Sequence, residues 1–147
     1  MALEPLTQAN GLFVIARGHA LGGAQEIALK FKETCALHAE AISAAEVRHG
    51  PMTLVGKDFP VLILGQNDET RDSVVELANE FAGRGAMVMH AGIDVAGGLA
   101  LPTLSAGPIV APVLQVLSFY RMCEALARRR GFDPDRPPHL AKVTETL

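Results

Sequence analysis

The chain is poor in the residues that usually announce a specialised chemistry: no tryptophan, one tyrosine, two cysteines, and only 20% charged side chains. Each scarcity excludes something. Cys35 and Cys123 are too few for the disulfide framework of a small secreted domain, and neither stands in a C-x-x-C or Cys/His spacing that would hold a metal. Both fall in stretches with helical spacing among apolar neighbours, the setting of buried free thiols in a reducing compartment. No apolar run approaches the roughly 18–20 residues of a membrane span. The opening "MALEPLTQAN" lacks the charged start and apolar stretch of a signal peptide. Together these features predict a soluble, cytoplasmic protein. A net charge of −3 offers no basic surface for nucleic acid or an anionic membrane. The one dense basic run, Arg128-Arg129-Arg130, falls at a predicted helix end, where cations complement the dipole. None of the five histidines has H-E-x-x-H or comparable spacing, so neither metal nor other cofactor is expected.

What the sequence does have is 49% apolar residues over 147 positions, enough for one real core. Compact apolar runs occur at "LFVIARG" (12–18), "PVLILGQN" (60–67) and "AMVMHAG" (86–92), with a weaker fourth in "AGPIVAPV" (106–113). Such runs suit buried parallel strands. Between them lie stretches with helical spacing. One is 25–51, "QEIALKFKETCALHAEAISAAEVRHGP", read as a long helix ended by Gly-Pro. Another is "ETRDSVVELANEFAGRG", with Val74, Val75, Leu77, Ala78 and Phe81 on one side. A third is "APVLQVLSFYRMCEALARRRG". The alternation predicts an α/β fold: a three-layer, doubly wound, mostly parallel sheet with an extended C-terminal tail. Pro134, Pro137 and Pro138 forbid a regular helix in that tail, giving a domain over 1–130 and a tail over 131–147. In such sheets ligands bind beyond the strands' carboxyl ends, which directs attention to "ARGHALGGAQE", "GQNDET" and "HAGIDVAGG".

The loop "GHALGG" could bring backbone amides to an anion at the next helix, or simply make a tight turn; it matches neither G-x-G-x-x-G nor the Walker pattern. On the following helix, Ile27, Phe31, Cys35 and His38 share an apolar side, with His38 expected to be packed in the core. Glu26, Lys30, Glu33 and Leu37 share another side. Two readings of that second strip stand open. It is a solvated face with Glu–Lys pairs at i, i+4 and i, i+3, or it is a carboxylate and a lysine arranged to shuttle a proton. His49, before Gly50-Pro51, sits at a rigid turn that can aim a side chain. Lys142, in a tail able to fold over a cleft, could deliver an amine to a carbonyl or a sugar hydroxyl.

The combination of A-L-K-x-K-E (28–33), H-A-E-A (38–41), E-x-x-H-G-P (46–51) and L-A-K (140–142) resembles the sugar isomerase (SIS) family. Within it, the match is to the second SIS unit of the isomerase portion of glucosamine-6-phosphate synthase and to related aminosugar-6-phosphate deaminases, and it spans nearly the whole chain. The resemblance implies a flavodoxin-like SIS unit at 1–130, with the tail covering the sugar site. It implies Glu33 as the base moving a proton between C1 and C2, and His49 as the ring-opening histidine given across a dimer interface. It further implies Lys30, Glu26 and Ala141 at the sugar site, and Lys142 as the tail lysine. A phosphosugar substrate follows, with a homodimer or a partner SIS unit. The family's S-x-S-G-E-T phosphate loop does not occur in these 147 residues, so a partner is expected to supply it. The alternative implied is a non-catalytic sugar-phosphate-binding or dimerisation SIS module. A flavodoxin-like nucleotide binder finds neither fingerprint glycines nor an acidic ribose partner.

Overall fold

The computed structural model describes residues 3–140. A short helix α1 (Leu3–Gln8) precedes strand β1 (Gly11–Ala16), helix α2 (Ala20–Cys35) and strand β2 (His38–Ser43). Two 3-10 turns, Val47–His49 and Pro51–Leu54, lead to β3 (Pro60–Leu64), α3 (Arg71–Gly83), β4 (Met87–Ala91), the two-residue β5 (Leu99–Ala100) and α4 (Ala111–Arg129). The five strands are all parallel, in the order β2-β1-β3-β4-β5. That is the flavodoxin-like order of doubly wound sheets.

Successive side chains of a strand face opposite ways, and the apolar runs use both faces. Leu12, Val14, Leu62, Leu64 and Met89 pack with Leu6 of α1, Ile27 and Phe31 of α2, and Phe119 and Leu126 of α4. Phe13, Ile15, Val61, Ile63 and Val88 pack with Val74, Leu77, Ala78 and Phe81 of α3. All five residues of β3 are buried, and burying each such side chain contributes about 1.5–3 kcal/mol. Phe31 and Phe119 meet edge to face with centroids 4.8 Å apart, tying α2 to α4. From Gly131 to Leu140 the chain forms only turns and irregular backbone, as its prolines require.

Four expectations are corrected. The stretch 25–51 is not one helix. Ala36 adopts the left-handed conformation (φ 47°, ψ 40°), its N–H donates to the Phe31 carbonyl, and the chain turns into β2. His38–Ser43 then pairs with Gly11–Ala16 along the whole of β1. Strand alternation buries Ala39 and leaves His38 exposed, so His38 is not a core residue. Residues 106–113 are not a strand either. They turn into α4, whose Pro112 sits in the first helical turn, where its missing N–H costs nothing. In "GHALGG", Gly22 and Gly23 lie inside α2 rather than in a loop. A Cβ on Gly23 would come within 3.3 Å of Val116, so its service is the close approach of α2 to α4, not an anion cradle.

Candidate active site

Three of the candidate residues meet on the side of α2 next to α4. The Lys30 Nζ donates to the Glu33 Oε2 at 2.6 Å and lies 3.7 Å from the Glu26 Oε1. The side chains are 26–35% exposed, a partly closed setting rather than a fully solvated face. The hydrogen bond to Glu33 raises the Lys30 ammonium above its usual range, with the charge of Glu26 assisting and partial burial opposing. A fourth member escaped the sequence reading: the Tyr120 hydroxyl, from α4, donates to the Glu26 Oε1 at 2.8 Å, and that bond raises the phenol above its usual range. The signal was the chain's one tyrosine, next to Phe119 on the last helix, but only the α2–α4 contact places it. Lys30, Thr34, Tyr120, Cys123 and Glu124 line a cavity of about 240 Å³, closed on one side by Pro134 and Asp135 of the tail.

The cluster does not lie where the strand-end rule led. Helix α2 begins just after the carboxyl end of β1 and runs back; Lys30 is ten residues along it, about 15 Å at 1.5 Å per residue. Glu33 is in its last turn. Two restraints hold this end. Arg130 donates through Nε to the Cys35 carbonyl at 2.8 Å, and through Nη1 to the carbonyls of Leu6, Thr7 and Ala9 at 2.9–3.1 Å. Beneath, the buried Cys35 and Cys123 sulfurs stand 3.7 Å apart, and the Thr34 hydroxyl is 3.0 Å from the Cys123 sulfur. The hydrogen bond from Cys123 pulls the Cys35 thiol down to about 7, and the same bond pushes Cys123 up.

His49 is not brought to this cluster. It is exposed at the end of a turn whose Val47 belongs to the α3-side core, and the neighbouring Arg48 binds that turn to α3 through Glu80 at 2.8 Å and Glu76 at 3.6 Å. Gly50, at φ 151°, sets the direction of the chain after it. Ala141 and Lys142 lie outside the described residues. Among the described residues no group of three or more His, Cys, Asp or Glu side chains could hold a metal ion, and no helix is long and apolar enough to cross a membrane.

Fold and cluster define a doubly wound α/β unit with a carboxylate–lysine–carboxylate strip on its first crossover helix, capped by a tyrosine. The SIS domain family model matches residues 5–98, and the chain belongs to that family. It is 37% identical over 143 residues to the glutamine–fructose-6-phosphate aminotransferase (isomerizing) of Pyrobaculum aerophilum, covering 94% of this chain and 24% of that protein. Among solved structures, a candidate phosphosugar isomerase from Silicibacter pomeroyi is 42% identical with a TM-score of 0.77, over 85% of this chain and 38% of that one. The C-terminal domain of glucosamine-fructose-6-phosphate aminotransferase from Francisella tularensis is 28% identical with a TM-score of 0.82, over 90% and 39%. The chain thus spans about a quarter of the curated relatives it matches and under half of these two structures.

Proposed function

We propose that this chain is the second SIS unit of an isomerase acting on hexose 6-phosphates and their 2-amino derivatives, with Glu33 as the base. The observation that carries the reading is the Lys30–Glu33 contact at 2.6 Å beside Glu26, with Lys30 itself on the wall of a sugar-sized hollow that neither carboxylate lines. Aldose–ketose interconversion needs an α-proton, acidified by the adjacent carbonyl or iminium, to leave one carbon and arrive at the next. A carboxylate does this without a metal. Lys30 engages the Glu33 Oε2, which leaves one carboxylate oxygen without that contact and able to take a proton. Glu26, bridged to Tyr120, holds the lysine from the other side, and the family resemblance gives it a place at the sugar site. In this reading His49 serves the site of a neighbouring chain, where it opens the sugar ring. Lys142 and Ala141 arrive with the tail, whose Pro134 and Asp135 already border the hollow.

A partner supplies the phosphate grip, since no S-x-S-G-E-T loop occurs in the sequence. That same lack favours a second reading, a sugar-phosphate-binding or dimerisation module without turnover. One assay separates them: isomerisation of, and ammonia release from, glucosamine 6-phosphate by the chain and by Glu33→Gln. General-base loss predicts a fall of roughly 10²–10⁴ in rate for the variant. Undiminished turnover in Glu33→Gln removes Glu33 as the base. A folded wild type that binds the sugar phosphate without turning it over supports the module.

A further inference from the structure

The carboxyl ends of β3, β4 and β5 open onto a larger cavity, about 560 Å³, that shares no residue with the Lys30 hollow. Gln66, Arg71, Thr103 and Gln115 are among its lining. Its size falls within the range of small-molecule pockets. Buried polar side-chain atoms in folded proteins almost always find a partner. Here the buried side-chain atoms without one, among the described residues, are the Gln66 Oε1, the Thr103 Oγ1 and the Gln115 Oε1, and all three residues line this one cavity.

The orientation of both amides is fixed by their other ends. The Gln115 Nε2 donates to the Gly65 carbonyl at 2.6 Å. The Gln66 Nε2 donates to the Arg17 carbonyl at 2.9 Å and the Asp68 Oδ2 at 2.8 Å. A flip would set oxygen against oxygen in each case, so the unpaired atoms are acceptors. Both glutamines are only 2% exposed, so bulk water does not relieve them. The wall is also built to keep its shape: Gly92 has φ +74°, and a Cβ there would collide with the Gly65 carbonyl and the Gln115 amide. At the rim, the Arg71 Nη1 donates to the Gly92 carbonyl at 2.9 Å, and Arg71 forms no ion pair among the described residues.

We propose that this cavity is a second binding site, distinct from the Glu33 cluster, for a hydroxyl-rich small molecule with one anionic group. Hydroxyls supply the donors that Gln66, Gln115 and Thr103 lack, and Arg71 takes the anion. Nothing in this assignment depends on catalysis at Glu33.

The test is a titration of the ¹⁵N-labelled chain with glucitol 6-phosphate, glucitol and inorganic phosphate, followed by NMR. Glucitol 6-phosphate is expected to shift the side-chain amide signals of Gln66 and Gln115, and the Gly92–Asp94 backbone, saturably; glucitol and phosphate alone bind more weakly. Thr103→Val, a shape-conserving change, and Arg71→Met should each weaken binding by about tenfold, while Glu33→Gln leaves it unchanged. Unmoved Gln66 and Gln115 signals overturn the proposal. So does binding that Glu33→Gln abolishes and Thr103→Val preserves, which assigns the ligand to the α2 cluster.

Discussion

The three consecutive arginines at the end of α4 allow a sharp test, because neighbours of identical chemistry have very different surroundings. Arg128 pairs with Glu124 at 3.1 Å, both side chains about 60% exposed. Arg130 serves four backbone carbonyls, two of which belong to the fully buried Leu6 and Cys35. A hydrogen bond from a charged donor contributes about 1.5–3 kcal/mol. Four bonds from one guanidinium do not add, and the outer carbonyls can turn to water. Taking the two buried acceptors at the low end gives a loss of about 3 kcal/mol for Arg130→Ala. For a chain of this size that is a fall of roughly 6–12 °C in Tm, at ~2–4 °C per kcal/mol. Arg128→Ala should stay within ~0.5 kcal/mol of the wild type. Arg130→Lys keeps the charge but not the fork, so it should recover only part of the loss. Thermal and urea unfolding of the three variants decide the matter. If Arg128→Ala and Arg130→Ala cost the same, at the ~0.3–1 kcal/mol of a helix-dipole interaction, the account of Arg130 as the clasp between α1, α2 and α4 is refuted.

Other outcomes follow from the geometry. With one tyrosine and no tryptophan, an ultraviolet titration reads Tyr120 alone; its midpoint should lie above 10.0 and move back towards it in Glu26→Gln. Because the folded value is the higher, the contribution to stability is complete below pH 10 and lost as pH rises through the raised value. Tyr120→Phe should therefore flatten that alkaline loss, and an unchanged alkaline profile would sink the Tyr120–Glu26 bond. Mild oxidation with diamide, which accepts two electrons and two protons, should join Cys35 to Cys123 within one chain, the sulfurs closing from 3.7 Å to about 2.05 Å. Intact mass and peptide mapping check this, and exclusive formation of linked dimers counts against it. Gly92→Ala should cost ~3 kcal/mol or more, since left-handed backbone and contacts with Gly65 and Gln115 leave no room for a methyl group. A Tm within a degree or two of the wild type refutes that packing.

The sequence was most legible where burial is two-sided. The runs at 60–67 and 86–92 contain β3 and β4, the run at 12–18 covers all of β1 but Gly11, and Val74, Leu77, Ala78 and Phe81 do form the buried side of α3. It was least legible at the sheet's margins. "HAEAIS" is rich in helix formers and buries only Ala39 and Ile42, one to each face, so its strand identity comes from the β1 edge beside it. The break before it depends on Ala36 taking a conformation usually left to glycine, and on Arg130, 95 residues distant in sequence, satisfying the Cys35 carbonyl. Of the candidate site, Glu26, Lys30 and Glu33 could be read from i, i+3 and i, i+4 spacing, because a helix brings such residues together by itself. Tyr120 could not, since no local rule links residue 26 to residue 120. The strand-end rule pointed to a real cavity, but to a different one from that lined by Lys30.

The two margins of the sheet also govern how copies of this fold can meet. At one side β2 presents the exposed, polar His38 and Glu40; at the other β5 offers two residues and then stops. Neither is the long, flat, apolar border on which a further chain's strand adds by backbone pairing. Strand-by-strand accretion, the route to open-ended fibres, is thus discouraged at both ends.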